Sequence, residues 1–201
     1  MSSLLIALVS YRFVPLGVPV AMEHMAYYLE GNALALYAHI GIAPIALAVM
    51  PFQFWGRLRA RYLGLHRLLG RIYVAAILIS GTAGLWLAFH SEAGTVAATG
   101  FALLALAWLV TTTVAFRHAL SRKFDLHRRW MVRSAALTFA AVTLRLYLGV
   151  SLSMGADFAL AYPVIAWACW LPNAIAAELC LRWPRSSSGH AGQHEPLAGA
   201  S

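Results

Sequence analysis

Two histidines stand in matching surroundings, Leu65-His66-Arg67 and Leu126-His127-Arg128, and each is followed by a further arginine, Arg71 and Arg133. A neutral imidazole offers one ring nitrogen to a metal while the other is held by a hydrogen bond. Two such rings on helices that run the same way could supply both axial ligands of one b-type haem. Arg67, Arg71, Arg128 and Arg133 would then be near enough to hold its propionates. The plain alternative is anchoring, since histidines beside arginines are common at a headgroup interface. No spacing in the chain forces the two rings to face each other, and both readings stand at this point.

Other ionisable residues fall inside apolar runs, where each is costly and so marks a candidate site. From the rise of a helix, His39 lies about 10 Å below one interface, and Arg145 about 27 Å from the opposite end of its own segment. With Arg12, and with Tyr11 or Tyr147, they form a candidate outer group. The alternative has Arg145 snorkelling to headgroups and His39 donating to a backbone carbonyl between helices. At the other end, Gln53, His66, Arg71, His127, Arg133 and Glu178 fall within two turns of the interface, and Glu178 is a natural ion-pair partner for Arg133 or Arg71. Asn173, beside Pro172, is a candidate lining residue of a small cavity.

The elements that must position these residues follow from composition. Of 201 residues, 61% are hydrophobic and 11% charged, with a mean hydropathy of +0.71. Soluble domains are about 45–50% apolar and about 25% charged, so a soluble enzyme, a disordered chain and a disulfide scaffold are excluded. The fold class is an all-α polytopic transmembrane bundle. Apolar runs of about 20 residues cross a bilayer, and five qualify: 33–55, 68–89, 95–116, 131–150 and 158–183. A short sixth helix is expected within 4–22, where Arg12, Pro15, Gly17 and Pro19 interrupt the run. The chain divides into a transmembrane domain, 1–184, and a tail rich in Ser, Gly, Pro and Ala, 185–201, expected to be disordered. Cys169 and Cys180, eleven residues apart, would lie about 16 Å apart on one helix, too far for a disulfide.

Charge sets the orientation. The formal net charge is +8, and all the basic residues except Arg12 and Arg145 fall in 57–71, 117–133 and 182–185. The other connections hold Glu23, Glu30, Glu92 and Asp157 and no Lys or Arg. That asymmetry predicts the basic loops and the C-terminus on the cytoplasmic side. Trp55, Trp130 and Trp183 fall at the same ends, at headgroup level. The expected partners are the bilayer and its anionic headgroups, not nucleic acid. Repetition of the Leu-His-Arg run also suggests two hairpins of like orientation, with chance similarity as the rival.

Motifs for a phosphate loop, a nucleophile elbow or a zinc-protease helix are absent from the sequence. The runs His39-Ile40-Gly41, Pro51-Phe52-Gln53-Phe54, Gly70-Arg71-Ile72-Tyr73, His127-Arg128-Arg129-Trp130-Met131-Val132-Arg133-Ser134, Leu144-Arg145, Tyr162-Pro163 and Pro172-Asn173 with Glu178 resemble the membrane family called domain of unknown function 2306. The resemblance implies a multi-pass protein of the bacterial inner membrane and brings no established activity. A looser likeness is to cytochrome b561-type haem bundles, with His66 and His127 standing for one ligand pair and His39 lacking a partner histidine within a neighbouring span. The leading expectation is therefore a redox protein with one haem b at the cytoplasmic side and a quinone as electron partner. A non-catalytic scaffold or assembly factor with a membrane-protein partner is the alternative, and a small-solute transporter the third. Whether the protein is an enzyme is open at this level.

Overall fold

A computed structural model describes residues 2–183, and every regular element in that range is helical. The tail expected at 185–201 lies outside the described residues. Five segments are long and apolar enough to cross a membrane: α4 (Ala33–Gln53), α6 (Leu63–Phe89), α7 (Gly94–Leu120), α8 (Phe124–Ser153) and a broken fifth, Phe158–Arg182, made of α9 (Phe158–Ala168) and α10 (Leu171–Arg182). A short helix, α5 (Gly56–Arg61), joins α4 to α6.

Helices α6, α7 and α8 overrun the expected spans at their basic ends. α6 begins at Leu63 and α8 at Phe124, several residues before the apolar runs at 68 and 131. A helix of 30 residues such as α8 is about 45 Å long, against a hydrocarbon layer of about 30 Å. The helix is thus longer than the layer requires, and the excess at its start carries the arginines and places His127 in the first turn of α8.

The described N-terminal region is broken into short helices, shorter than the five candidate spans. α1 (Ser2–Ser10) is followed by α2 (Phe13–Leu16) and α3 (Val18–Ala21), with Gly17 between the last two at φ +75°, a conformation only glycine takes without strain. α1 packs on α4 and α8. Ala7 belongs to the same buried cluster as Ala46, Leu47 and Met50, while Tyr11 donates to the Gly41 carbonyl at 2.8 Å. The helix thus runs back along α4 from its C-terminal half toward its middle. A 3-10 segment (Glu23–Leu29) then crosses to α4 and is tied to the far end of α6 by Tyr28, whose hydroxyl donates to the Leu87 carbonyl at 2.8 Å.

The fifth span breaks at Cys169–Trp170, where Pro172 opens α10 in its first turn. In hydrocarbon a freed carbonyl needs a replacement donor. That of Cys169 has two: Thr143 Oγ1 from α8, and Asn173 Nδ2 at 3.0 Å. Asn173 also donates to Thr143 Oγ1 at 3.2 Å, so it braces the break. Both cysteines are free thiols.

The bundle core is partly polar. Tyr73 of α6 is fully buried, with its hydroxyl 2.9 Å from Ser134 Oγ and 2.7 Å from Thr138 Oγ1 of α8. From α7, Trp108 Nε1 donates to Thr138 Oγ1 at 2.8 Å, and Thr112 Oγ1 lies 2.7 Å from Ser134 Oγ. Three helices are thereby cross-linked by hydroxyls in an environment where each would otherwise be unsatisfied.

Candidate functional site: an outer cavity ringed by arginine and histidine

Above this hydroxyl network lies a cavity of about 270 Å³, walled by α1, α4, α6, α7, α8 and α9 and covered by the 3-10 segment. Its walls are mostly apolar, among them Leu47, Leu104, Leu144 and Leu148, while Trp108 and Thr138 lie at its base. Four basic side chains line it: Arg12, His24, His39 and Arg145. Three of these are the outer group expected from sequence. The shared cavity was not foreseeable, because it depends on α1 folding back to bring Arg12 beside α4 and α8.

Each polar head is held by backbone. His39 donates from Nδ1 to the Ser80 carbonyl at 2.8 Å, which fixes Nε2 as the free nitrogen of the neutral ring. The ring has room because residue 84 is glycine; a Cβ there would lie 2.8 Å from Nδ1. Arg12 donates from Nε and Nη2 to the Ala21 carbonyl at 3.1 and 2.8 Å, so the guanidinium sits at the C-terminal end of α3, where the helix dipole favours a cation. Arg145 donates from Nη1 to the Ala141 carbonyl one turn back, at 2.9 Å. Each guanidinium carries five N–H donors, and these bonds leave most of them unused. Arg12 is a charged neighbour of both Arg145 and His24, and Arg145 of His39.

His24 was expected only as a loop residue. It packs on the rings of Phe158 and Tyr162, with centroids 5.0 and 6.1 Å away. Burial, and then the Arg12 charge, hold its imidazole below the ordinary value of 6.5, against a smaller upward pull from Glu23. Burial likewise pushes the Tyr28 phenol above its usual range.

The candidates at the basic end of the bundle divide into two groups. Arg133 turns toward α10, with Nε and Nη2 reaching Glu178 Oε1 and Oε2 at 2.5 and 3.0 Å, and its guanidinium lies 4.7 Å from the Trp130 ring. His127 faces α7 instead, donating from Nδ1 to the Ala115 carbonyl at 2.9 Å. Six residues along a helix separate side chains by about 120° around the axis, so Arg133 does not serve a group held by His127. Arg71 is exposed and takes no part in the Glu178 pair. His66 has Arg59, Arg67 and His127 as its ionisable neighbours. Its Nδ1 and the Gln53 Nε2 are both buried without a hydrogen-bond partner among the described residues. Gln53 Oε1 occupies the space left by Gly70, one turn from His66 on the same helix face.

Sequence reasoning missed Tyr73, Thr112, Ser134, Thr138 and Gly84. A signal was present for two of them: Ser134, Thr138, Ala141 and Arg145 recur at four, three and four residues and so form one stripe of α8. Among the described residues there is no group of three or more His, Cys, Asp or Glu placed to hold a metal ion. No curated protein and no solved structure matches the chain. One family does, over residues 36–181, from the cavity-lining half of α4 to the end of α10. With its helical spans and that match, the chain belongs to the family described as "Predicted membrane protein (DUF2306)".

Proposed function

We propose that this membrane protein binds an amphipathic small molecule in the outer cavity, with the polar head among Arg12, His39 and Arg145 and the body against the leucines. The observation that carries the reading is the convergence of ionisable heads on one apolar-walled space of about 270 Å³. Small-molecule pockets are largely apolar with a few placed polar groups, and run from about 300 Å³ upward. The protein sits in the bacterial inner membrane with its basic ends and C-terminus in the cytoplasm, so the cavity opens toward the outer leaflet. The test is to extract the gently purified protein and identify retained small molecules by mass spectrometry, then repeat with Ala43→Phe, which places a ring in the cavity. Loss of the retained molecule in the variant is expected. A protein carrying nothing, or the same molecule undiminished in the variant, would sink the proposal.

The second reading is the redox one: a haem b on His66 and His127, with a quinone as electron partner. One observation favours it. His127 gives its Nδ1 proton to a backbone carbonyl, the arrangement that prepares Nε2 as a ligand. Arg67 and Arg59 stand near His66 for propionates, in place of Arg71 and Arg133. A sharp reduced-minus-oxidised α-band that disappears in His66→Ala and in His127→Ala is its expected result. A scaffold instead requires a colourless protein that co-purifies with a specific partner.

A further inference from the structure

The charges around the cavity all have one sign. Arg12 and Arg145 both line it, and neither Asp nor Glu is among the lining residues. Among the described residues the only ion pair within 4 Å is Arg133–Glu178, at the other end of the molecule. The nearby Glu23 and Glu92 are exposed and belong to the covering segments.

Arg145 is partly buried and Arg12 lies exposed at the rim, and the two like charges on one cavity repel each other. Neutral carbonyl contacts at Ala21 and Ala141 satisfy one or two donors each but cancel no charge. Unpaired arginines at membrane depth are costly and normally face a partner. An anion placed here would meet unused N–H donors of both arginines. Arginine suits this role because its fork of donors matches the oxygens of a carboxylate or phosphate. The apolar walls give the anion's carrier its character: an acyl or similar chain.

We propose that the outer cavity is an anion site, in which Arg12 and Arg145 together hold the carboxylate or phosphate of an acyl-chain amphiphile. This rests on the reading of the cavity as a small-molecule site and adds the sign and type of the head. His39 presents Nε2 as an acceptor on the same cavity, fitting a head that keeps one acidic or hydroxyl proton. The two sources of such a head are a free fatty acid and a phosphate-bearing lysolipid.

The experiment uses the full chain in nanodiscs of zwitterionic lipid and follows Trp108, which lines the cavity, by fluorescence. The probes are dodecanoate, a lysophosphatidate of equal chain length, and dodecanol. Saturable binding of one or both anions is expected, with dodecanol weaker by about tenfold or more; which anion binds tighter identifies the source. Arg12→Gln and Arg145→Gln should each weaken the anion by a similar factor and leave dodecanol unchanged. Arg145→Lys, which keeps the charge, should recover part of the loss and guards against a variant that merely misfolds. If dodecanol binds as well as dodecanoate and the arginine variants change nothing, the anion site is overturned while the cavity reading stands. If none of the three binds, both fail.

Discussion

The imidazole of His39 fills the space that Gly84 leaves open: a Cβ at position 84 would lie 2.8 Å from Nδ1 and 2.9 Å from Cε1. The ring cannot retreat without breaking its bond to the Ser80 carbonyl. Gly84→Ala should therefore expel the ring toward the cavity and cost about 1–3 kcal/mol, as overpacking does. Thermal unfolding in detergent measures it. Because the two residues share one space, His39→Ala combined with Gly84→Ala should cost clearly less than the two single losses added. Additive losses would show that the ring and the glycine are not coupled.

Tyr73 is the hub of the hydroxyl network. Tyr73→Phe removes one hydroxyl that meets two others and leaves the packing in place. Thr138 keeps its bond to the Ser134 carbonyl and Ser134 keeps Thr112, so the expected loss is modest, about 1 kcal/mol. Reversible unfolding in mixed micelles checks this, and an unchanged stability would reduce the network to packing.

The Arg133–Glu178 pair joins α8 to α10, and its side chains are 21% and 38% exposed. Solvent and headgroups screen it, so a double-mutant cycle with Arg133→Gln and Glu178→Gln should give a coupling of no more than about 1 kcal/mol. A cycle that closes to zero would leave the bidentate geometry without energetic content.

His24 offers a titration. Its folded value is depressed by burial and by Arg12, with Glu23 opposing and the rings of Phe158 and Tyr162 against it. It should be neutral at pH 7 and reach its midpoint below 6.5 by nitrogen NMR of labelled protein. Arg12→Gln should raise that midpoint. The sign for stability follows: as pH falls below 6.5 the unfolded chain takes up this proton first, so His24 lowers stability progressively down to its folded midpoint. A midpoint at or above 6.5 would contradict the packing described for this ring.

Orientation is checked with reporters. A fusion after Trp183 should be active on the cytoplasmic side, and one in the loop at Glu92 on the opposite side, as the arginine distribution requires.

The spans were legible because lipid tolerates few solutions for a backbone, and long apolar runs announce them. Their basic ends were not, since hydropathy is blind to a helix that continues through leucine and arginine, both good helix formers. His39 and Arg145 stood out by their cost in an apolar run. Arg12 was visible as well, yet its neighbours depend on the reversal at Gly17 and the packing of α1 on α4 and α8, which no local pattern encodes. The bonds of Asn173 to Thr143 and to the Cys169 carbonyl were not legible, because Pro172 signals a break without saying which group satisfies it. Tyr73 and Thr138 were hidden, since tyrosine and threonine in an apolar run read as ordinary filling until a second helix places hydroxyls opposite.

α1 is nine residues long, about 14 Å, too short to be recognised by insertion machinery as a span. It packs against α4 and α8, and α8 is the fourth of the five spans to be made. The chamber is therefore completed late. A chain stalled or truncated before residue 153 lacks the α9 wall, with Phe158 and Tyr162. Ligand capture at this site would then report completed assembly, making occupancy a built-in mark of a finished molecule.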